Sequence, residues 1–526
     1  VRAAAIHGTL GALALTAATL ATGTPAAADQ PRPAATTAER GTAVAAAEAA
    51  AAGVDWQECP PREHLPAPAE CGTVRVPVDY SRPQGEHLDL TVSRKRAQPA
   101  EGKGARLGSL VYNPGGPGAS GMRFALYGDV LGGVWKKLNR RWDLVGYAPR
   151  GVGRSAPLSC QDPKQFTAAP NPSPRRPSAE YKEQRKERAA SYAKGCAQAQ
   201  GKRLAHYTTE ENARDLDVLR AALGERKLSF FGVSYGTYLG AVYASLFPGH
   251  VHRLVLDSVV DPTPSNIWYR SNLRQNAAFE QRWNDWKRWT AKHHRSYGLG
   301  RDAQQVQRSF DEVRDAVEKK PAGGEVGPKE LLAAYLRTGY ADSVWAEHAE
   351  ALAEFRRGRP GPLEALAAPD PARAVEDENG QAVYNAVECA DARWPRDWSR
   401  WDRDTTASDA VAPFSSWENT WMNLPCAYWP TTPRTDPPHV GTDPGRLPGV
   451  LLLAGTRDAA TPYAGALETQ RRLPGSSLVT EAGSGTHGVA GGNACVDRHL
   501  AAYLLDGRTP GMRAECEGRP APAPGT

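Results

Sequence analysis

The sequence predicts an α/β fold: a mostly parallel sheet wound between helices and interrupted by one large helical insertion. Three observations point there. Short apolar runs without alternation recur along the chain, each ending in a glycine-rich or polar turn: GSLVYNPGG, RWDLVGYAPRG, KLSFFGVS, HRLVLDSVV, GVLLLAGTRD and SSLVTEAG. Such runs suit strands buried on both faces of a parallel sheet. Between several of them apolar residues fall at helical spacing, as in EENARDLDVLRAAL, YGTYLGAVYASLF and NACVDRHLAAYLL. From about Pro262 to Pro444 the strand patterning stops, and aromatic-rich helical sequence such as NLRQNAAFEQRWNDWKRWTAKHH and ELLAAYLRTGYADSVWAEHAEALAEF takes over. That interval reads as a cap over the end of the sheet where such folds hold ligands.

Taken in order, residues 1–28 have the pattern of a signal peptide: an early arginine, an Ala- and Leu-rich run, and Ala26-Ala27-Ala28 before Asp29. An N-terminal membrane anchor is the rival, and the small residues of the A-x-A site argue against it. Residues 29–53 are low in complexity and read as a flexible leader or pro-segment. The first part of the core is expected over 54–261. It opens with TVRVPVDY and HLDLTVSRKR, whose alternation suits antiparallel strands near a sheet edge. The helical cap spans 262–445, between the strands HRLVLD and GVLLLAG. The core resumes over 446–517, and 518–526 form a tail.

Composition narrows the function classes. The net charge of +6 is small for 526 residues and the basic residues are scattered, so nucleic-acid binding is not indicated. No later run is apolar enough to span a bilayer, so no membrane span is expected once the signal is removed. The expected location is extracellular, secreted or held at the cell surface, and a monomer is expected. Eight cysteines form near neighbours, Cys59 with Cys71, Cys160 with Cys196, Cys389 with Cys426 and Cys495 with Cys516. Disulfides suit an exported chain, although the spacing alone leaves other pairings open. Metal binding is the rival, but C-x-x-C and Cys/His ligand clusters are missing. No metal or organic cofactor is implied.

The chemistry centres on GVSYG. Here a serine stands between two glycines where an apolar strand gives way to a helix, the context of a nucleophile elbow. Ser234 is therefore the expected nucleophile, against the plainer reading of a tight turn. A serine hydroxyl needs a base, and the base needs a carboxylate to hold its tautomer. In α/β hydrolases these follow in the order Ser, Asp, His, each after a strand end. Asp458 in LLLAGTRDAATP and His487 in VTEAGSGTHG meet that order. Asp257 and Asp261, in VLDSVVDP, are rivals for the acid, and His499, in a helical pattern, is a weaker rival for the base. The oxyanion needs preorganised N–H donors, each contributing about 3 to 4 kcal/mol. Tyr235, following the nucleophile, supplies one; Gly115 and Gly116 of LVYNPGGPGASG let the backbone approach and complete the expected oxyanion hole, with Gly116 the favoured second donor and Gly115 the other.

Together NPGGPGASG, WDLVGYAPRGVGRSAPLSC, GVSYGTYLG, NAVECADARW, AGTRDAATP and GSGTHG run in one order from about Trp56 to Cys516. In this the sequence resembles the secreted tripeptidyl aminopeptidases of actinomycetes, relatives of the proline iminopeptidases within the α/β-hydrolase superfamily. The resemblance implies a serine exopeptidase that removes short peptides, typically tripeptides, from free N-termini, with Ser234, Asp458 and His487 as its triad. One departure is Ala148 in GYAPRG, where relatives often have aspartate. The position shapes a turn, so the expectation for catalysis stands.

Such an enzyme must anchor the substrate ammonium, and NAVECADAR offers Glu388 and Asp391 for this, beside Cys389; a solvated role is the plainer reading of both. Trp394 and Trp398 are either subsite walls or cap core, the latter favoured. Two other function classes are weighed. An ester or small amide substrate would keep fold and triad, since these alone do not set substrate. A non-catalytic binding protein would be expected to have lost a triad member, and all three are present.

Overall fold

In the computed structural model residues 35–99, 105–431 and 436–525 are described, so the expected signal peptide and residues 29–34 of the leader lie outside them. Thr37–Thr526 form one unit, and of the other, Val1–Thr36, only Ala35 and Thr36 are described.

Ten strands among the described residues make one sheet: β1 (Gln57–Glu58), β2 (Glu70–Pro77), β3 (His87–Lys95), β4 (Gly108–Asn113), β5 (Trp142–Tyr147), β6 (Leu228–Val233), β7 (Val251–Asp257), β8 (Val450–Gly455), β9 (Ser477–Ala482) and β10 (Arg513–Glu517). Their order is β1-β2-β3-β5-β4-β6-β7-β8-β9-β10. The pairs β1/β2, β2/β3 and β3/β5 are antiparallel and the rest parallel. The chemistry of the runs explains this. β4, β5 and β8 are buried at every residue, as strands covered on both faces must be, whereas β2 alternates and lies towards the edge. Ala148 sits in a turn, donating its N–H to Thr91 O at 2.9 Å and accepting from Ser155 Oγ at 2.8 Å.

Two features differ from the sequence reading. Residues expected as a flexible leader form a helix, Thr37–Ala52, that buries Gly41, Thr42, Ala45, Ala46 and Ala49 and packs on the helix Thr209–Ala222. Low complexity was misleading because alanine is also the best helix former, and a face of small residues packs closely without any large apolar stripe to announce it. The contact is tight: a Cβ added at Gly41 would fall 1.8 Å from Tyr80 O. The strand β10 also goes beyond the reading. Its sequence RAECE has a single buried residue, Cys516, and no apolar run to mark it.

The cap is helical, with helices at Tyr269–Lys292, Ala303–Lys319, Pro328–Leu336, Trp345–Arg356, Ala374–Asp391, Trp398–Asp409 and Ser416–Trp421. Its apolar residues divide mainly between two clusters. One is the cap's own, around Trp283, Trp286, Phe310, Tyr335 and Phe414. Others, including Val383, Val387, Trp394 and Trp401, join the cluster of the sheet domain. Trp394 stacks on Trp401, as cap core. The helix Ala179–Gln200, which follows β5, packs against the turn Leu424–Tyr428 of the cap. Disulfides join Cys59 to Cys71, Cys160 to Cys196, Cys389 to Cys426 and Cys495 to Cys516. The third ties the helix Ala374–Asp391 to that same turn. The tail also docks on the cap, through Trp289 Nε1 to Pro522 O at 3.0 Å.

Candidate active site

Ser234 lies between β6 and the helix Tyr235–Leu246 with φ 59° and ψ −127°. A non-glycine residue there carries about 1 to 3 kcal/mol of strain, and the surroundings must hold it. They do so through its main chain: the Ser234 N–H donates to Asp257 O at 3.0 Å, and its carbonyl accepts from Thr237 N at 2.8 Å and Thr237 Oγ1 at 2.6 Å. The flanking glycines make the crossing possible, since a Cβ on Gly232 would fall 2.2 Å from Gly236 O.

Asp458 and His487, from the loops after β8 and β9, are brought together. The imidazole Nδ1 lies 2.9 Å and 3.1 Å from the two Asp458 carboxylate oxygens. That carboxylate also accepts from Ala460 N at 3.0 Å, Thr461 N at 3.1 Å and Thr461 Oγ1 at 2.9 Å, so it is rigidly held. An imidazole that donates from Nδ1 to a carboxylate leaves Nε2 as the proton acceptor. Burial presses the His487 imidazolium down, but the Asp458 carboxylate, reinforced by Asp257, more than offsets this and the net shift is upward.

The rival acids do other work. Asp257 is buried under the histidine loop, where its two oxygens accept from Val489 N at 3.0 Å and Ala490 N at 2.9 Å. Burial, opposed by those two bonds, pushes its carboxyl up to about 6. Ser258 Oγ accepts from Gly488 N at 2.7 Å, so the last residue of β7 and the one after it clamp the same loop. Asp261 holds Thr263, Asn266 and Arg274. His499 lies in the helix Ala494–Asp506, beside the sulfurs of the Cys495–Cys516 disulfide.

The expected oxyanion donors divide. The Gly115 N–H is taken by Asn113 Oδ1 at 2.9 Å, so Gly115 is corrected from donor to spacer. A Cβ there would fall 2.8 Å from Ser234 Cβ and 3.0 Å from Tyr235 N. The N–H groups of Gly116 and Tyr235 make no hydrogen bond to another described residue, and Tyr235 opens a helix whose dipole adds positive character.

Ser234, Tyr235 and Gly116 line a cavity of about 410 Å³ whose far wall is the cap, including Tyr340, Tyr384 and Glu388. Glu388 is buried, and burial pushes its carboxyl well above the ordinary range while a hydrogen bond from Tyr384 opposes the shift. Asp391, expected beside it, does not line the cavity. Both its oxygens are used by Thr209, at 2.8 Å to N and 2.6 Å to Oγ1, and Thr209 Oγ1 lies 2.7 Å from the Tyr235 hydroxyl. On a helix Glu388 and Asp391 are three residues apart, close enough to share a face but not one partner. The sequence reading missed Tyr340. Its carbonyl accepts the His487 N–H at 2.7 Å and its ring meets the imidazole edge to face at 5.5 Å. Nothing in LRTGYADSV marks it, because the contact depends on how the cap folds back.

Two family descriptions match the chain: "alpha/beta hydrolase fold" over residues 108–345 and "TAP-like protein" over 412–516. The chain is 48% identical over 489 residues to a tripeptidyl aminopeptidase of Streptomyces lividans, covering 92% of this chain and 90% of the relative. It is 33% identical to serine protease Hip1 of Mycobacterium tuberculosis, covering 88% and 91%, and 34% identical to carboxylesterase B of the same species, covering 88% and 89%. With a parallel-sheet scaffold, a serine on a strained strand-to-helix turn and about nine-tenths of both chains aligned with the first of these relatives, this protein belongs to the tripeptidyl aminopeptidase family of α/β hydrolases.

Proposed function

We propose that this protein is a secreted serine exopeptidase that releases tripeptides from free N-termini through an acyl-enzyme. The substrate ammonium pairs with Glu388, whose proton passes to solvent as the pair forms. Ser234 Oγ passes its proton to His487 Nε2 and attacks the carbonyl carbon, and the oxyanion is held by the N–H groups of Gly116 and Tyr235. The C–N bond breaks as His487 returns the proton to the departing amine. Water, deprotonated by His487, then releases the peptide carboxylate and restores Ser234. Asp458 keeps the imidazole in its tautomer, and Asp257 and Ser258 hold its loop.

The observation that carries this reading is Glu388, a buried carboxyl in the same cavity as Ser234. A carboxyl buried without a cation keeps its proton, and an incoming ammonium supplies the partner that lets it ionise. Export through the signal at 1–28 is supported by four disulfides, which persist in oxidising surroundings. Mass spectrometry of products from one peptide with a free and an acetylated N-terminus tests the activity. Tripeptides from the free form alone are expected; equal cleavage of both removes the anchor. Ester hydrolysis is the second reading, favoured by the carboxylesterase relative. Turnover of simple acyl esters that exceeds that of every peptide would establish it.

A further inference from the structure

A second, larger cavity of about 740 Å³ adjoins the first, with Tyr340, Asn419 and Met422 lining both. Its charged lining is unbalanced: Arg185, Arg188 and Lys329 stand against one carboxylate, Glu418. Glu418 is paired with Arg185 at 3.2 Å. Arg188 and Lys329 have no ionic partner among the described residues, and burial holds the Lys329 ammonium below its usual range. The two cavities thus hold groups of opposite type, a buried carboxyl in the one that Ser234 lines and basic side chains without an ionic partner in the one beyond Tyr340.

The leaving side of the reaction can be located from Tyr340. His487 protonates the departing amine, and Tyr340 is bonded to the main chain of His487, packs on its imidazole and forms the border between the cavities. We infer that the second cavity receives the segment beyond the scissile bond and selects for a carboxylate there, through Lys329 and Arg188. The carboxylate is either an acidic side chain or the C-terminus of a short substrate. This rests on the exopeptidase reading, which sets the direction of the chain. It is a charge complementarity that governs selection among substrates and leaves the bond-breaking chemistry alone.

The test uses peptides sharing one N-terminal tripeptide, followed by a neutral amidated segment, the same segment with one Gln replaced by Glu, or the neutral segment with a free C-terminus. Wild type is expected to favour an anionic peptide in kcat/KM by roughly tenfold, a preference shrinking with salt. In Lys329→Gln with Arg188→Gln the anionic-to-neutral ratio falls to about one, and Lys329→Arg with native Arg188 keeps it, which separates charge from folding. Which peptide shows the preference tells side chain from terminus. A ratio near one in wild type, or a preference that survives in the double variant, overturns the inference. Binding of the same peptides to Ser234→Ala, by calorimetry, reads the cavity apart from turnover. If no peptide is cleaved the exopeptidase reading fails, while tighter binding of anionic peptides, lost in the double variant, still supports the cation site and equal binding overturns it.

Discussion

The sheet side of the active-site cavity holds its carboxylates in closed hydrogen-bond sets and leaves open the N–H groups of Gly116 and Tyr235, whereas the cap side presents side chains with bonds still to make. Asp458 is bonded by Ala460, Thr461 and His487, and Asp257 by two main-chain N–H groups. Across the cavity, Asn272 Oδ1 is buried without a partner among the described residues, and Glu388 is buried with no cation beside it. The difference follows from what each side must do. Bond-breaking needs donors and acceptors fixed before substrate arrives, and selection needs groups that only the right substrate satisfies.

The largest effect should come from opening the closed set. Asp458→Asn lowers kcat by on the order of 10⁴-fold, because the imidazole loses its tautomer. It also tests the electrostatics. Asp458 is what raises His487, and the imidazole must be neutral to act as base, so activity in wild type falls as pH drops through that raised value. In Asp458→Asn the acid limb of the residual kcat/KM profile moves to lower pH; an unmoved limb would mean that another group sets it. Next is Gly115→Ala, which places a methyl against Ser234 and Tyr235 at a φ of 97°. A loss of about 10²-fold to 10³-fold in kcat with little change in KM is expected, the size of one lost oxyanion donor.

On the cap side the losses are smaller and depend on substrate. Glu388→Gln lowers kcat/KM for free N-termini by roughly 10-fold to 100-fold and leaves acetylated peptides as poor as before. The sign with pH is set by burial: the empty-cavity carboxyl is protonated above the ordinary glutamate range and must ionise to pair. Wild-type affinity for free N-termini therefore rises with pH until the substrate amine itself deprotonates, near about 8. Glu388→Gln flattens that rise in a KM profile. Smallest is Cys389→Ala with Cys426→Ala, which removes about 2 to 4 kcal/mol of stability, read as a lower midpoint in denaturant. If it also relaxes selection for free N-termini while kcat on good substrates holds, then the rigidity of the cap, and not the sheet, sets the anchor.

Much of the sheet side was legible in the sequence because its signals are local. A strand buried on both faces must be an apolar run, and GVSYG, GTRD and GSGTHG each stand at the end of one. The cap side was legible in composition only. NAVECADAR offered two carboxylates of equal promise, and the fold separates them: Glu388 lines the cavity and Asp391 is spent on Thr209. The helix Thr37–Ala52 failed for a related reason, since alanine carries no periodic contrast from which packing can be inferred.

By itself, then, the sequence determined the parallel sheet, the order Ser234, Asp458, His487 and the turns that present them. Each of these depends on neighbours within a few residues, through strand burial and the freedom of glycine. Only the tertiary structure decided that Gly115 spaces and the Gly116 N–H is left free among the described residues, that Asp257 clamps a loop, and that Tyr340 stands between a cavity holding a buried carboxyl and one lined by basic side chains. Apart from the Gly115 bond to Asn113, which spans two residues, these depend on contacts between residues far apart in the chain, where two similar side chains part company because only one finds its hydrogen bonds already made.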